Sequence, residues 1–225
     1  MFERLKKVFA SEMPDAQSAP VVNTVSEWAG AQGLSFSGSA DGHRFVLSGD
    51  IDNRPLKLEL GASTRDFIHG AELLARAELK VNDDAAVFII NRPLKEALDA
   101  RAYGMYTDTL QTQAEPSLPE EMRWMALYRE VGWDGLPNLF WSRYSVMAGQ
   151  REQAQDWIRP ELAALLVSWP APDPSLPFIM MLLRGKAYLR MQHTPGDLPT
   201  LGHATQVFRK ACESALASFS TDISV

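Results

Sequence analysis

The chain has 225 residues, 46% of them hydrophobic and 22% charged, with 14 glycines and 14 prolines. A chain of this length buries about 70% of its extended surface, so it builds a full core without staples, and its composition excludes disordered and collagenous classes. Its 22 basic against 28 acidic residues leave a net charge of -6, which repels phosphate backbones and argues against nucleic acid as a partner. A single cysteine, Cys212, excludes an intramolecular disulfide framework and cysteine-based zinc or iron–sulfur centres, and it suits a reducing compartment. No window of about 18 apolar residues occurs, and the first thirty residues lack a signal-peptide pattern. The expectation is a soluble, cytoplasmic protein.

In chain order, residues 2–9 (FERLKKVF) set Phe2, Leu5, Val8 and Phe9 opposite Arg4, Lys6 and Lys7, predicting a short amphipathic helix. Residues 11–20 read as a linker, and residues 21–32 as a helix stopped by Gly33. Residues 43–49 and 55–61 alternate around a turn at 50–54 and predict a hairpin. Residues 70–81 favour helix by composition but alternate strictly, and alternation decides for a strand. With the apolar run 85–90 this predicts a meander of about four antiparallel strands.

Asn91 reads as the cap of a helix with Pro93 in its first turn, ending near Tyr103. Residues 104–117 read as a polar loop. A helix is predicted from Leu118 to about Val131, a strand over 140–147, and a long helix over 150–169 that kinks or divides at Pro160. After a proline-rich turn at 170–177, the runs 178–183 and 186–192 predict a second hairpin about Arg184 and Gly185, and residues 198–219 a last helix. Strands followed by helices, without βαβ alternation, predict an α+β fold: an antiparallel β-meander with helices packed on one side and a late C-terminal hairpin plus helix. Residues 1–20 form an N-terminal helix and linker, and residues 21–225 a single α+β domain with a point of sub-division near 104–118.

The string Gly49-Asp50-Ile51-Asp52-Asn53-Arg54 continuing to Leu60, the stretch 72–79, and the later segments 141–146, 156–162 and 185–190 together resemble a family of uncharacterised bacterial cytosolic proteins, a domain of unknown function. The resemblance spans most of residues 43–217. It implies a bacterial cytosolic protein and brings no activity, substrate or catalytic residue with it.

Chemical motifs are sparse. His193, Asp197 and His203 carry metal-ligating groups, yet the spacing of ten between the histidines crosses a Pro/Gly loop instead of sharing a helix face, so no metal is assigned. The carboxylate pairs Asp50/Asp52, Asp83/Asp84 and Glu120/Glu121 have local uses in turns and at a helix start. Ser37 and Ser39 lack the helix that a nucleophile elbow requires, Cys212 reads as a small buried residue, and no phosphate-binding glycine loop occurs. No catalytic residue and no cofactor is assigned.

The aromatic residues are the most suggestive feature, with Trp124, Tyr128 and Trp141 close together in sequence and fit for a partner surface as well as for a core seam. Tyr103, Tyr106, Thr107 and Asp108 fall in the predicted loop, where binding residues concentrate. These seven are the candidate binding residues. The expected function is non-catalytic: a protein-interaction or scaffold protein whose partner is another protein or a second copy. The alternative is a small-molecule hydrolase or other enzyme with a diffuse active site. A deep pocket with converging Asp, His or Arg side chains favours the enzyme, and a shallow aromatic groove favours the binding module. Residues 2–9 are the segment fit for protein docking, on the same chain or a neighbour, in preference to peripheral membrane contact, because two turns of helix bury little.

Overall fold

The computed structural model describes residues 18–39, 44–108 and 120–220. The predicted helix 2–9, most of the linker 11–20 and the stretch 109–117 of the predicted loop lie outside the described residues. Helix α1 (Ser18–Ala31) starts three residues earlier than the sequence suggests, because Pro20 is tolerated in a first turn that needs no N–H there. It ends as expected, at Gly33 with φ +69°.

A short strand β1 (Ser35–Gly38), too brief to show a period, precedes the hairpin β2 (Phe45–Ile51) and β3 (Arg54–Ala62). Asp52 and Asn53 form the two-residue turn with φ of 49° and 58°, a left-handed pair whose twist matches that of the flanking strands. Strand β4 (Ala71–Glu78) obeys its alternation: Leu73, Ala75 and Ala77 are fully buried in the core, while Arg76 and Glu78 pair on the opposite face. Strand β5 (Ala86–Asn91) is buried on both faces.

Helix α2 (Arg92–Asp108) runs past the expected end at Tyr103, since Gly104 weakens a helix by only about 1 kcal/mol and no proline follows to stop it. Helix α3 (Glu120–Leu127) stops short of Val131, and Arg129–Val131 becomes the edge strand β6. The predicted strand 140–147 divides into helix α4 (Asn138–Arg143) and strand β7 (Tyr144–Ala148). Phe140 and Tyr144 stand one helical turn apart with ring centroids 5.5 Å apart, a spacing that alternation does not capture. Pro160 divides the long helix into α5 (Arg151–Trp157) and α6 (Pro160–Val167), where it occupies the first turn of the second. The hairpin β8 (Phe178–Leu183) and β9 (Lys186–His193) and the helix α7 (Leu198–Phe219) follow the sequence reading closely.

The nine strands among the described residues form one antiparallel sheet in the order β1-β2-β3-β4-β9-β8-β5-β7-β6. The four-strand meander is therefore corrected: β1 to β4 form it, and β5 lies away from β4 with the β8–β9 hairpin between them. A strand apolar on both faces is most stable in the sheet interior, with a ladder on each side, and β5 has β7 and β8 there. The hairpin turn is held by Lys80 N donating to Gly185 O at 2.8 Å.

Helices α1 and α4 to α7 pack on one face over the main core, which includes Trp157, Phe140, Phe208 and Leu189. Helices α2 and α3 depart from the one-sided arrangement. They cover only the β5, β7 and β8 part of the opposite face, where Phe88, Ile90, Met147 and Met181 meet Leu94, Leu98 and Met122. The rest of that face carries polar side chains joined in ion pairs, among them Lys57 with Glu59 and Lys186 with Glu78. Trp157 Nε1 donates to Ala211 O at 2.9 Å and Ser214 Oγ to Trp157 O at 2.6 Å, tying α5 to α7.

Candidate functional site

Four distant stretches meet at one end of the sheet: the connection 170–177, the end of β5, the α4–β7 junction, and the run from the end of β9 into α7. Between them is a cavity of about 250 Å³, open on one side, with mostly apolar walls. Asn91, read from sequence as a helix cap, has another task. Its Nδ2 donates to Pro174 O at 2.9 Å and Leu176 O at 3.1 Å, and its Oδ1 accepts from Phe178 N at 3.0 Å, so one buried amide moulds the proline-rich wall. Four prolines in eight residues limit the shapes that this wall can take.

The opposite wall is equally fastened. Tyr144 donates its hydroxyl to Leu166 O at 2.8 Å and accepts from Trp169 Nε1 at 2.9 Å. Burial pushes the Tyr144 phenol up to about 12, against the smaller opposing effects of the Trp169 hydrogen bond and the Arg143 charge, so it remains a neutral donor. Arg143 Nη1 donates to Val167 O at 2.8 Å. The Trp169 ring meets Phe178 and His203 edge to face, at 5.7 and 4.7 Å.

His193 closes the inner end. It is 4% exposed, and its Nδ1 has no hydrogen-bond partner. Burial pulls its pKa below the ordinary value of 6.5, and the Asp197 charge pulls weakly the other way, so the ring is neutral at pH 7. Asp197 accepts from Thr200 N at 3.1 Å and caps α7. Burial raises the Asp197 carboxyl, but the Thr200 hydrogen bonds and His193 outweigh it and hold the group below the usual carboxylate range.

A second polar cluster sits where α3 meets the sheet. Glu121, 2% exposed, lies 2.6 Å from Arg65 Nε and 2.8 Å from Arg190 Nη1. Arg190 Nε is 2.8 Å from Glu72 Oε1 without hydrogen-bond alignment, and Ser63 Oγ donates to Glu72 Oε2 at 2.8 Å. Arg65 also reaches Glu120 at 3.2 Å. Glu120 and Glu121, read as helix-start acids, thus fasten the helix to two arginines. An open groove of about 550 Å³ adjoins them, with Glu72 and Arg190 already engaged on its wall.

The sequence candidates lie elsewhere. Tyr103 is 73% exposed on α2, and Tyr106, Thr107 and Asp108 belong to the last turns of that helix instead of a loop. Trp124 and Tyr128 are half-buried against Phe88, with ring centroids 5.4 and 4.9 Å away. Trp141 lies on the other face of the sheet, edge-on to Trp133 and Phe140 at 5.0 Å from each. The aromatic set therefore divides between two cores, and none of the seven lines the cavity. Of the metal-type trio, His193 and Asp197 line the cavity while His203 Nε2 is 2.9 Å from Leu165 O. Among the described residues no three His, Cys, Asp or Glu side chains converge on a common point. Cys212 is buried, and burial pushes its thiol well above the ordinary range. Nothing local in the sequence marks Asn91, Arg143 and Trp169 as pocket residues; the proline-rich run 170–177 is the nearest signal.

Fold and cavity define an antiparallel α+β protein with a half-open apolar pocket at one end of its sheet. No family model matches the chain. No curated protein matches it. Among solved structures it is similar to the mycobacterial trehalose monomycolate transport factor A, TtfA, with 12% identity over 88% of this chain and 96% of that one and a TM-score of 0.47. No helix among the described residues is long and apolar enough to cross a membrane.

Proposed function

We propose that this chain is a non-catalytic protein-interaction module, and that its recognition site is the pocket between residues 170–177 and the start of α7. The sequence resemblance adds to the same proposal a bacterial cytosolic setting. The observation that carries the reading is a half-open, mostly apolar cavity walled by the neutral His193 imidazole, in which Asn91, Arg143, Tyr144 and Trp169 are already held in hydrogen bonds of the fold. The pocket does hold His, Asp and Arg side chains, the set that would favour an enzyme. Yet Asp197 caps a helix, Arg143 holds a carbonyl, and the hydroxyls of Thr194 and Thr200 make no bond to His193 Nδ1. A nucleophile bonded to a base is what acyl or phosphoryl chemistry needs, and neither threonine hydroxyl holds that bond to His193 Nδ1.

The test is amide NMR on the full chain with a small set of neutral apolar fragments. Shifts confined to residues 170–178 and 191–200 support the pocket as the recognition site. Shifts along the groove beside Arg190, or none at all, overturn it.

A further inference from the structure

Resting on that reading, we infer that the pocket receives a phenol ring, presented as a tyrosine side chain by a partner polypeptide, with its hydroxyl on the His193 imidazole that lines the cavity. Size comes first. A cavity of about 150 Å³ holds benzene, and drug-sized ligands occupy about 300–1,000 Å³, so 250 Å³ suits one substituted ring. The walls suit a ring as well: Trp169, Phe178 and Met191 offer aromatic edges and a polarisable thioether.

Charge selects a neutral guest. The walls hold both signs, Asp197 and, at the mouth, the fully exposed Asp173 against Arg143, each already in a hydrogen bond, so an ion of either sign meets repulsion as well as attraction and gives up its hydration. The hydroxyl answers His193 in either neutral tautomer, because a phenol both donates and accepts, whereas an indole N–H only donates. The open side allows the bound ring to stay attached to a chain outside, and a volume this small encloses no more than that one side chain.

The experiment titrates p-cresol, toluene and N-acetyltyrosinamide into the full chain and into His193→Phe, following the amides that line the cavity. With the wild-type chain, p-cresol binds at least about tenfold tighter than toluene, the ratio corresponding to roughly 1.4 kcal/mol. N-acetyltyrosinamide binds like p-cresol, and His193→Phe keeps toluene binding but loses the preference. Equal affinity for toluene and p-cresol overturns the phenol assignment and leaves the pocket reading standing. Binding of p-cresol without N-acetyltyrosinamide overturns presentation by a polypeptide. Failure of all three to perturb the cavity amides overturns both readings. Should the variant not fold, the imidazole ¹⁵N resonance of His193 in the wild-type chain decides: p-cresol moves it and toluene does not, and an unmoved resonance overturns the assignment.

Discussion

Replacing Asn91 with alanine tests how the pocket is built. Its side chain serves three backbone groups: the carbonyls of Pro174 and Leu176, and the N–H of Phe178. The two carbonyls lie near the surface and regain water, losing about 1 kcal/mol each, while the Phe178 N–H has no such recourse and carries an unsatisfied-donor cost of about 1–3 kcal/mol. The expected destabilisation is about 3–5 kcal/mol by urea unfolding, with faster exchange of the Phe178 amide and weaker p-cresol binding. Asn91→Asp keeps the acceptor for Phe178 but sets a charge, 4% exposed at that position, against two carbonyl oxygens, and destabilises more. A cost for Asn91→Ala below about 1 kcal/mol, with the Phe178 amide still protected, would refute the reasoning.

Three further outcomes are expected. Arg190→Leu removes the cation beside buried Glu72 and leaves Glu121 with Arg65 alone, and it lowers stability by about 3–5 kcal/mol in chemical denaturation, a loss that adding Glu72→Leu partly restores. His193 has a folded pKa below its unfolded value of 6.5, so the unfolded chain binds the extra proton first; its stabilisation is complete above that value and is lost as pH falls towards the folded pKa, and His193→Leu flattens this part of the urea-midpoint profile although Asp197 and Arg143 remain. Gly185→Ala destabilises by at least roughly 1–2 kcal/mol in thermal unfolding, because φ is +69° and the added Cβ would lie 2.7 Å from Asp83 Oδ1 and 2.9 Å from Val81 O.

The parts of the fold that were legible in the sequence are local. The Asp52–Asn53 and Arg184–Gly185 turns, the alternation of β4 and the bounds of α7 each follow from neighbouring residues. The place of β5 does not, because its partners Val146 and Met180 lie far along the chain. Trp124 and Trp141 look like one patch in a row of residues, but α3 and α4 carry them to opposite faces of the sheet. Of the pocket, the sequence offers His193 and Asp197 as metal-type groups with no metal assigned, Asn91 as a helix cap and 170–177 as a turn. Its walls come from Asn91, Arg143 and residues 170–177, stretches whose juxtaposition leaves no local period to read.

The wedging of the β8–β9 hairpin between β4 and β5 governs how the protein is made. During synthesis β5 emerges soon after β4, yet the ladders of β5 wait for β7 and β8, and the second ladder of β4, already paired with β3, waits for β9. Until then the segment Ala86–Asn91, apolar and low in charge, leaves the ribosome as an unpaired strand of the kind that seeds intermolecular sheets. A nascent chain halted near residues 104–118 would hold that strand without either neighbour. Its folding is thus a late closure dominated by long-range pairing, which is slow and exposes the chain to aggregation. Nascent-chain pulse proteolysis should show protection of β5 arising in one step, after residue 193 has cleared the exit tunnel.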